Sequence, residues 1–278
     1  ARRCAADNGR MHATAAAPAA SIAPIALVGA LHEELAAVLE SMPDERPVRV
    51  AGREFWQGHL EGRPVVAVLS RIGKVAAATT AAVLLERFGV QAVLFTGVAG
   101  GLAPGVAVGD VVVATELLQH DMDASPLFPR HEVPLYGRAR FPADAHWAAA
   151  LAEAASQALA DPAALVGSAA VDGFALHRPR VHRGLIVSGD RFVATAAESD
   201  ALRAAVPDAL AVEMEGAAMA QVCHDWGVPF AAVRTISDRA DDAAHTDFTR
   251  FVAEVARHYS AAVLREALRG GPGMPARA

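Results

Sequence analysis

Residues 24–39 read Pro-Ile-Ala-Leu-Val-Gly-Ala-Leu-His-Glu-Glu-Leu-Ala-Ala-Val-Leu. The apolar run 25–29 ends in glycine, and apolar side chains then recur at helical spacing over residues 32–39. This order predicts a buried strand, a turn and a helix, which together open an α/β fold. Glu34 therefore falls in the first turn of the predicted helix, close to the end of the strand.

The same alternation continues along the chain. Strands are predicted at residues 48–60 (with a kink at 51–52), 64–70, 92–97, 110–119, 183–188, 210–214 and 229–236. Helices are predicted at residues 74–88, 143–159, 191–205, 215–226 and 242–268. Strands alternating with helices predict one α/β domain over residues 22–268, with a central mixed, mostly parallel twisted sheet. Ligands are expected at the loops that follow the carboxyl ends of the strands.

The composition excludes some classes of function. The chain has 278 residues, 53% of them hydrophobic, and a net charge of −6, which is unsuited to binding a nucleic-acid backbone. Cys4 and Cys223 lie far apart and match no metal-ligand spacing, so we expect free thiols, no metal, no cofactor and a reducing, cytoplasmic location.

The two ends of the chain are predicted to be disordered, at residues 1–21 and 269–278. Residues 11–31 carry no Asp, Glu, Lys or Arg and follow three arginines, as a signal peptide or membrane segment would. Pro18 and Pro24 would interrupt a helix there. An extension that runs into the first strand is the preferred interpretation, with no membrane contact, and a targeting segment remains the alternative.

Three acidic residues, Glu34, Glu215 and Asp238, each lie just after a predicted strand or in the first turn of the next helix. Taken singly, an acid at a helix N-terminus is commonly explained by its interaction with the helix dipole. Their shared position at the expected ligand-binding edge of the sheet makes them candidate catalytic groups instead.

Seven stretches surround these acids and the glycine-rich turns between them. They are Ile-Ala-Leu-Val-Gly-Ala-Leu-His-Glu-Glu (25–34), Gly-Lys-Val-Ala-Ala-Ala (73–78), Thr-Gly-Val-Ala-Gly-Gly-Leu-Ala-Pro (96–104), Val-Gly-Asp-Val-Val-Val (108–113), Gly-Leu-Ile-Val-Ser-Gly-Asp-Arg-Phe-Val (184–193), Val-Glu-Met-Glu-Gly (212–216) and Arg-Thr-Ile-Ser-Asp-Arg-Ala-Asp (234–241). In this order they resemble the methylthioadenosine/S-adenosylhomocysteine nucleosidases of the nucleoside phosphorylase superfamily. The resemblance implies a single-domain, three-layer fold of that superfamily and hydrolysis of the N-glycosidic bond of adenine nucleosides.

The resemblance also implies roles for individual residues. Glu34 matches the general base that activates water, and Arg234 matches a residue that orients that water and Glu34. Asp238 matches the acid that protonates purine N7, with Ser237 helping to place it. This division suits the chemistry, because an oxocarbenium-like transition state needs both a better leaving group and a nucleophile on the opposite face.

The remaining matches concern substrate binding. Glu215 is implied to bind the ribose 2′ and 3′ hydroxyls, Met214 to pack on the sugar, Phe192 to stack on adenine and the Val193 backbone to read the edge of the base. For the 5′-substituent the candidates are Ile72, Ala124, Leu127, Phe128 and Phe248, for which ordinary core packing is the alternative. Because a neighbouring subunit completes this pocket in the family, a homodimer is expected.

Three other functions remain open. A purine nucleoside phosphorylase would need phosphate ligands where this chain has Phe95 and Val98, and Val98 also replaces a serine common in the nucleosidases. A binding protein without activity would have lost one of the three acids, all of which are present. A nucleosidase for futalosine-type or other 5′-modified nucleosides would share every catalytic residue.

Overall fold

The computed structural model describes residues 22–240 and 248–271. The strands are β1 Ile25–Gly29, β2 Arg46–Val50, β3 Arg53–Leu60, β4 Arg63–Leu69, β5 Ala92–Phe95, β6 Val98–Gly101, β7 Val111–Gln119, β8 Arg140–Pro142, β9 Val181–Ser188, β10 Ala209–Glu213 and β11 Phe230–Asp238. The helices are α1 His32–Leu39, α2 Lys74–Phe88, α3 Ala145–Ala158, α4 Pro162–Val166, α5 Ser168–Gly173, α6 Ala196–Ala205, α7 Gly216–Trp226, α8 Phe248–Phe251 and α9 Arg257–Gly270, with π-helical residues Val252–Ala256 joining the last two.

The strands form one mixed sheet in the order β2-β3-β4-β1-β5-β11-β6-β10-β9-β7-β8. Strands β4, β1, β5 and β11 run parallel to their neighbours in this series, as the βα alternation predicts. An additional antiparallel pairing of β11 with β7 closes β11, β6, β10, β9 and β7 into a ring. Gly100 in β6 pairs with Val212 of β10 on one side and with Asp238 of β11 on the other. The ring therefore brings two of the predicted acidic segments together.

Helices cover both faces of the sheet, because successive strand residues point to opposite sides. Ile25 and Leu27 of β1 belong to the core under α1, α3 and α9, whereas Ala26 and Val28 belong to the core under α2 and α7. The α/β three-layer architecture predicted from the sequence is thereby confirmed. None of the helices in the described ranges is long and apolar enough to cross a membrane.

Several elements differ from the sequence prediction. The strand predicted at residues 48–60 is a hairpin of β2 and β3, because Ala51 and Gly52 adopt positive φ angles of 49° and 70° and reverse the chain. Strands β6 and β8 and helices α4 and α5 were not predicted, since each is short and lacks a clear hydrophobic period. The helix predicted at residues 191–205 begins only at Ala196, so Phe192 and Val193 lie in the preceding loop. The closing helix continues to Gly270. Residues 1–21, 241–247 and 272–278, which include most of both predicted extensions and the start of the helix predicted at 242–268, lie outside the described residues.

Candidate active site

A cleft of about 190 Å³ opens where β6, β10 and β11 meet the loops after β1 and β4. It collects many of the residues predicted from the sequence. The predicted residues that line it are Ile72, Val98, Phe192, Val193, Met214, Glu215, Ser237, Asp238 and Phe248. Ala30, Leu31, Arg191, Val212 and Glu213 complete the lining.

Asp238 is a buried acid at the carboxyl end of β11. Its Oδ2 accepts a hydrogen bond of 2.7 Å from the Ser237 hydroxyl, and its Oδ1 accepts one of 2.7 Å from the Ala240 backbone N–H. A Cβ atom at Gly100 would lie 3.1 Å from Oδ1 and 2.8 Å from the Ala240 Cβ. Glycine is therefore required for the close approach of β6 to this acid.

Glu34 lies in the first turn of α1, fully buried behind the Ala30 and Leu31 segment that lines the cleft. Its Oε2 accepts hydrogen bonds of 3.0 Å from both the Ala30 and Leu31 N–H groups. Within the described residues Oε1 has no hydrogen-bond partner. Burial raises the pKa of Glu34 to about 7, although the Leu31 N–H and the positive charge of Arg234 oppose the rise. Such a carboxylate is poised to exchange a proton near neutral pH.

Arg234 lies in the middle of β11 and is also buried. Its Nη2 donates a hydrogen bond of 2.7 Å to Glu213 Oε2, its Nη1 donates to the Phe95 carbonyl at 3.0 Å, and its guanidinium carbon lies 4.0 Å from the centre of the Phe95 ring. A Cβ atom at Gly97 would lie 3.5 Å from Glu34 Oε1 and 3.7 Å from the Arg234 guanidinium carbon. Both charged groups therefore approach the same point beside Gly97, where a side chain would contact each of them.

Glu213 was missed by the sequence analysis. Besides Arg234, its carboxylate accepts hydrogen bonds from the Gly216 N–H at 2.9 Å, from the Glu215 N–H at 3.2 Å and from the Ser188 hydroxyl. One feature of the sequence could have identified it: Glu213 lies near the end of a predicted apolar strand. A buried, ionised glutamate at such a position needs a cationic partner.

Glu215 forms the rim of the cleft at the start of α7, where it is buried. Its Oε1 accepts a hydrogen bond of 2.9 Å from the Gly73 N–H. Burial, followed by the negative charge of Glu213, raises the pKa of Glu215. Glu215 thus binds the loop after β4, next to Ile72, while its carboxylate faces the cleft.

Aromatic side chains form one wall of the cleft. Phe192 and Phe248 meet edge to face, with ring centres 6.2 Å apart and ring planes at 88°. Phe192 remains 42% exposed. A flat heterocycle could therefore stack against Phe192 while the acids contact its edge.

Five predicted residues do not line this cleft, and two of them, Glu34 and Arg234, are buried close to it. Ala124, Leu127 and Phe128 lie in the loop after β7 and are not among its lining, and Leu127 is 84% exposed. Within a single chain, the structure does not bring them to the 5′ side of the site. Phe95 is buried beneath Arg234, and Val98 presents an apolar surface to the cleft, so neither side chain offers a hydrogen bond to an anion. Within the described ranges, no group of three or more His, Cys, Asp and Glu side chains is arranged to hold a metal.

Comparisons with known proteins identify the family of the chain. The profile of the phosphorylase superfamily matches residues 24–269. The 5′-methylthioadenosine/S-adenosylhomocysteine nucleosidase of Anoxybacillus flavithermus is 38% identical over 237 residues, which cover 85% of this chain and 94% of the relative. The corresponding enzyme of Shewanella putrefaciens is 35% identical over 86% of this chain and 96% of the relative.

Solved structures give the same result. The nucleosidase of Neisseria meningitidis, in complex with methylthio-immucillin-A, superposes with a TM-score of 0.78 at 34% identity, over 89% of this chain and 99% of that one. The S-adenosylhomocysteine nucleosidase of Streptococcus pyogenes, in complex with 5-methylthiotubericidin, also gives a TM-score of 0.78, at 32% identity over 91% of this chain and 98% of that one.

Proposed function

The chain belongs to the phosphorylase superfamily and, within it, to the 5′-methylthioadenosine/S-adenosylhomocysteine nucleosidases, and from this membership we propose that it hydrolyses 5′-methylthioadenosine and S-adenosylhomocysteine, together with 5′-deoxyadenosine. Water attacks the anomeric carbon, the bond from that carbon to N9 breaks, and adenine and a 5-substituted ribose leave. The observation that carries the proposal is the buried Glu34 carboxylate, with one oxygen unpartnered among the described residues, behind a cleft that holds Asp238.

Asp238 acts on the leaving group. It donates a proton to purine N7, so the electron pair of the breaking bond enters a protonated, cationic base, which leaves as neutral adenine rather than as an anion. The hydrogen bonds from Ser237 and the Ala240 N–H fix the carboxyl group in one orientation. Protonation by a positioned acid contributes roughly 10²- to 10⁴-fold to such reactions.

Glu34 acts on the nucleophile. As water attacks, the proton it loses passes to the carboxylate, and the unpartnered Oε1 is the oxygen available to accept it. The guanidinium of Arg234 approaches the same point beside Gly97 as Glu34 does, and its positive charge stabilises the ionised form of Glu34. Glu215 binds the ribose hydroxyls with charge-assisted hydrogen bonds that strengthen as positive charge develops on the sugar.

Water is favoured over phosphate as the nucleophile because of Phe95 and Val98. A phosphate dianion on the far face of the sugar needs cationic and hydroxyl ligands, and these two side chains supply neither. The buried base Glu34 would instead repel an anion bound beside it.

The setting of the enzyme is part of the proposal. We place it in the cytoplasm, in methionine salvage and the removal of purine nucleosides, acting as a homodimer. The exposure of Leu127, on the loop expected to complete a neighbour's 5′ pocket, supports an isologous interface there. Light scattering and size-exclusion chromatography test the dimer, and a fully active monomer would contradict it.

Adenine release from a panel of nucleosides tests the activity. The panel contains methylthioadenosine, S-adenosylhomocysteine, 5′-deoxyadenosine, aminodeoxyfutalosine, adenosine and inosine, each with and without phosphate. We expect adenine and free sugar from the first three in phosphate-free buffer. Strict dependence on phosphate, with a sugar 1-phosphate as product, would identify a phosphorylase, and a preference for aminodeoxyfutalosine would reassign the substrate.

A further inference from the structure

A second cleft, of about 410 Å³, lies between α1 and the β2–β3 hairpin, and we call it the arginine cleft. Arg49, Arg53 and Arg71 line it, together with the apolar surface of Trp56. Glu54, also in the lining, pairs with Arg49 at 2.6 Å and neutralises that charge. Arg53 and Arg71 are therefore the two arginines of the cleft whose charges are not neutralised by Glu54.

Arg53 and Arg71 hydrogen-bond to neutral groups. Arg53 donates to the Thr80 hydroxyl at 2.8 Å, and Arg71 donates to the Gly52 carbonyl. Across residues 22–240 and 248–271, no carboxylate forms an ion pair with either guanidinium. Burial, followed by the positive charge of Arg71, lowers the pKa of Arg53, as expected for two cations that share a cleft. Such a site favours an anion. A bound carboxylate would offset the cost of burying the Arg53 guanidinium and would reduce its repulsion with Arg71.

Two short segments of chain connect the lining of the arginine cleft to that of the substrate cleft. Leu31 and Ile72 line the substrate cleft, and their sequence neighbours His32 and Arg71 line the arginine cleft. The next residue after Ile72 is Gly73, whose N–H is bound by Glu215, the carboxylate assigned to the ribose hydroxyls. The sugar therefore lies beside the segment 71–73, and a long 5′-substituent that passes Ile72 comes next to Arg71.

The backbone of Arg71 supports a functional explanation. Its φ angle is +63°, a left-handed conformation that is unfavourable for any residue with a Cβ atom. Glycine would occupy this position without strain. Residues with an unfavourable backbone conformation occur frequently at ligand-binding sites, where the side chain must be held in one position.

We propose that Arg71, with Arg53, binds the carboxylate at the far end of an extended 5′-substituent, so that this chain selects nucleosides whose 5′-thioether ends in an α-amino acid. This inference rests on the proposed function. It assigns a specificity determinant outside the catalytic residues and leaves the hydrolysis of nucleosides with short 5′ groups unchanged.

The test compares three substrates that differ only at the 5′ end. S-adenosylhomocysteine carries an ammonium and a carboxylate, 5′-(3-aminopropylthio)adenosine keeps the ammonium alone, and methylthioadenosine has neither. The variants are Arg71→Gly, which suits the positive φ, Arg71→Lys, which keeps the charge, and Arg87→Ala, which removes an exposed arginine of α2 remote from both clefts.

For the wild type we expect kcat/KM to be about tenfold higher for S-adenosylhomocysteine than for the aminopropyl analogue, as charge-assisted hydrogen bonds typically give. Arg71→Gly should abolish that preference and change kcat/KM for methylthioadenosine less than twofold. Arg71→Lys should keep part of the preference, and Arg87→Ala should keep all of it. Since the contact is partly exposed, the preference should also shrink at high salt.

Two results would overturn the inference while leaving the proposed function intact. One is equal kcat/KM for the two charged substrates in the wild type, and the other is a preference that survives in Arg71→Gly. Saturable binding of inorganic phosphate that is lost in Arg71→Gly, with no preference between the substrates, would assign the cleft to a free anion instead. No adenine release from methylthioadenosine would refute the proposed function itself, and this inference with it.

Discussion

Arg234 and Glu213 form a buried ion pair, with 2.7 Å between Nη2 and Oε2 and both side chains almost fully excluded from solvent. The pair joins β11 to β10, and the guanidinium also rests on the Phe95 ring of β5. Because Arg234 already has its own carboxylate, Glu34 does not form a salt bridge with it. Glu34 can therefore lie close to a cation and still have a pKa near 7.

This arrangement predicts that Glu213→Gln is strongly destabilising. The amide cannot accept the hydrogen bonds from Arg234, Ser188 and the helix N-terminus together, and it leaves a buried cation unpaired. The free energy of unfolding should fall by about 3 to 5 kcal/mol, as when one partner of a buried pair is removed. Urea unfolding followed by circular dichroism measures it.

The matched control is Glu54→Gln, which removes a carboxylate paired with Arg49, in a pair whose side chains are 40% and 83% exposed. Exposed pairs contribute about 0 to 1 kcal/mol, so this variant should unfold nearly as the wild type does. If the free energy of unfolding fell equally in the two variants, the buried ion pair between Glu213 and Arg234 would contribute no more to stability than an exposed pair.

A second prediction concerns the acid. Asp238→Asn keeps the shape of the side chain but removes the proton meant for N7, so kcat for methylthioadenosine should fall on the order of 10²-fold or more. The defect should be much smaller for a nitrophenyl riboside, whose leaving group needs no protonation. Steady-state kinetics on both substrates measure it. A defect of equal size on both would contradict the role of Asp238 as a general acid.

The sequence was sufficient to predict the helices and strands that carry Glu34, Asp238 and Glu215. Each acid follows an apolar run of clear period. The period of such a run shows from the local sequence which side chains are buried, and it therefore identifies the strand or helix. The sequence indicated a kink at Ala51 and Gly52 but not the full reversal into the β2–β3 hairpin, because alanine gives no signal for a positive φ angle.

Contacts between distant segments were harder to predict. The hydrogen bonds of Glu213 involve residues up to 25 positions away, and the arginine cleft joins α1 to a hairpin that was predicted as one strand. The roles expected of Ala124, Leu127 and Phe128 depend on a second subunit, and no property of a single chain tests them. The periodicity of a sequence indicates which face of a helix or strand is buried, but it does not indicate which other segment packs against that face.

A third prediction follows from the pKa of Glu34. Only the ionised Glu34 carboxylate accepts a proton, so kcat/KM should rise with a slope of one toward a midpoint near pH 7, and a fall at higher pH would report the loss of the proton that Asp238 donates. The pH profile of kcat/KM for methylthioadenosine between pH 5 and 9 measures the midpoint. Glu33→Gln, which changes the exposed neighbour, should leave that midpoint close to 7. A midpoint near 4.5, the ordinary value, would mean that Glu34 is solvated and not the base.

The last prediction is that Glu34→Gln loses activity and gains stability. Because folding raises the pKa from 4.5 to about 7, the wild type has its full stability below pH 4.5 and loses it as pH rises through 7. Glutamine does not titrate, so between pH 5 and 8 the variant should gain about 2.5 kcal/mol relative to the wild type, at about 1.36 kcal/mol per pKa unit. Turnover should fall on the order of 10²-fold or more. Urea unfolding at both pH values, with Glu33→Gln as control, measures the gain, and a stability difference independent of pH would contradict a buried, proton-accepting Glu34.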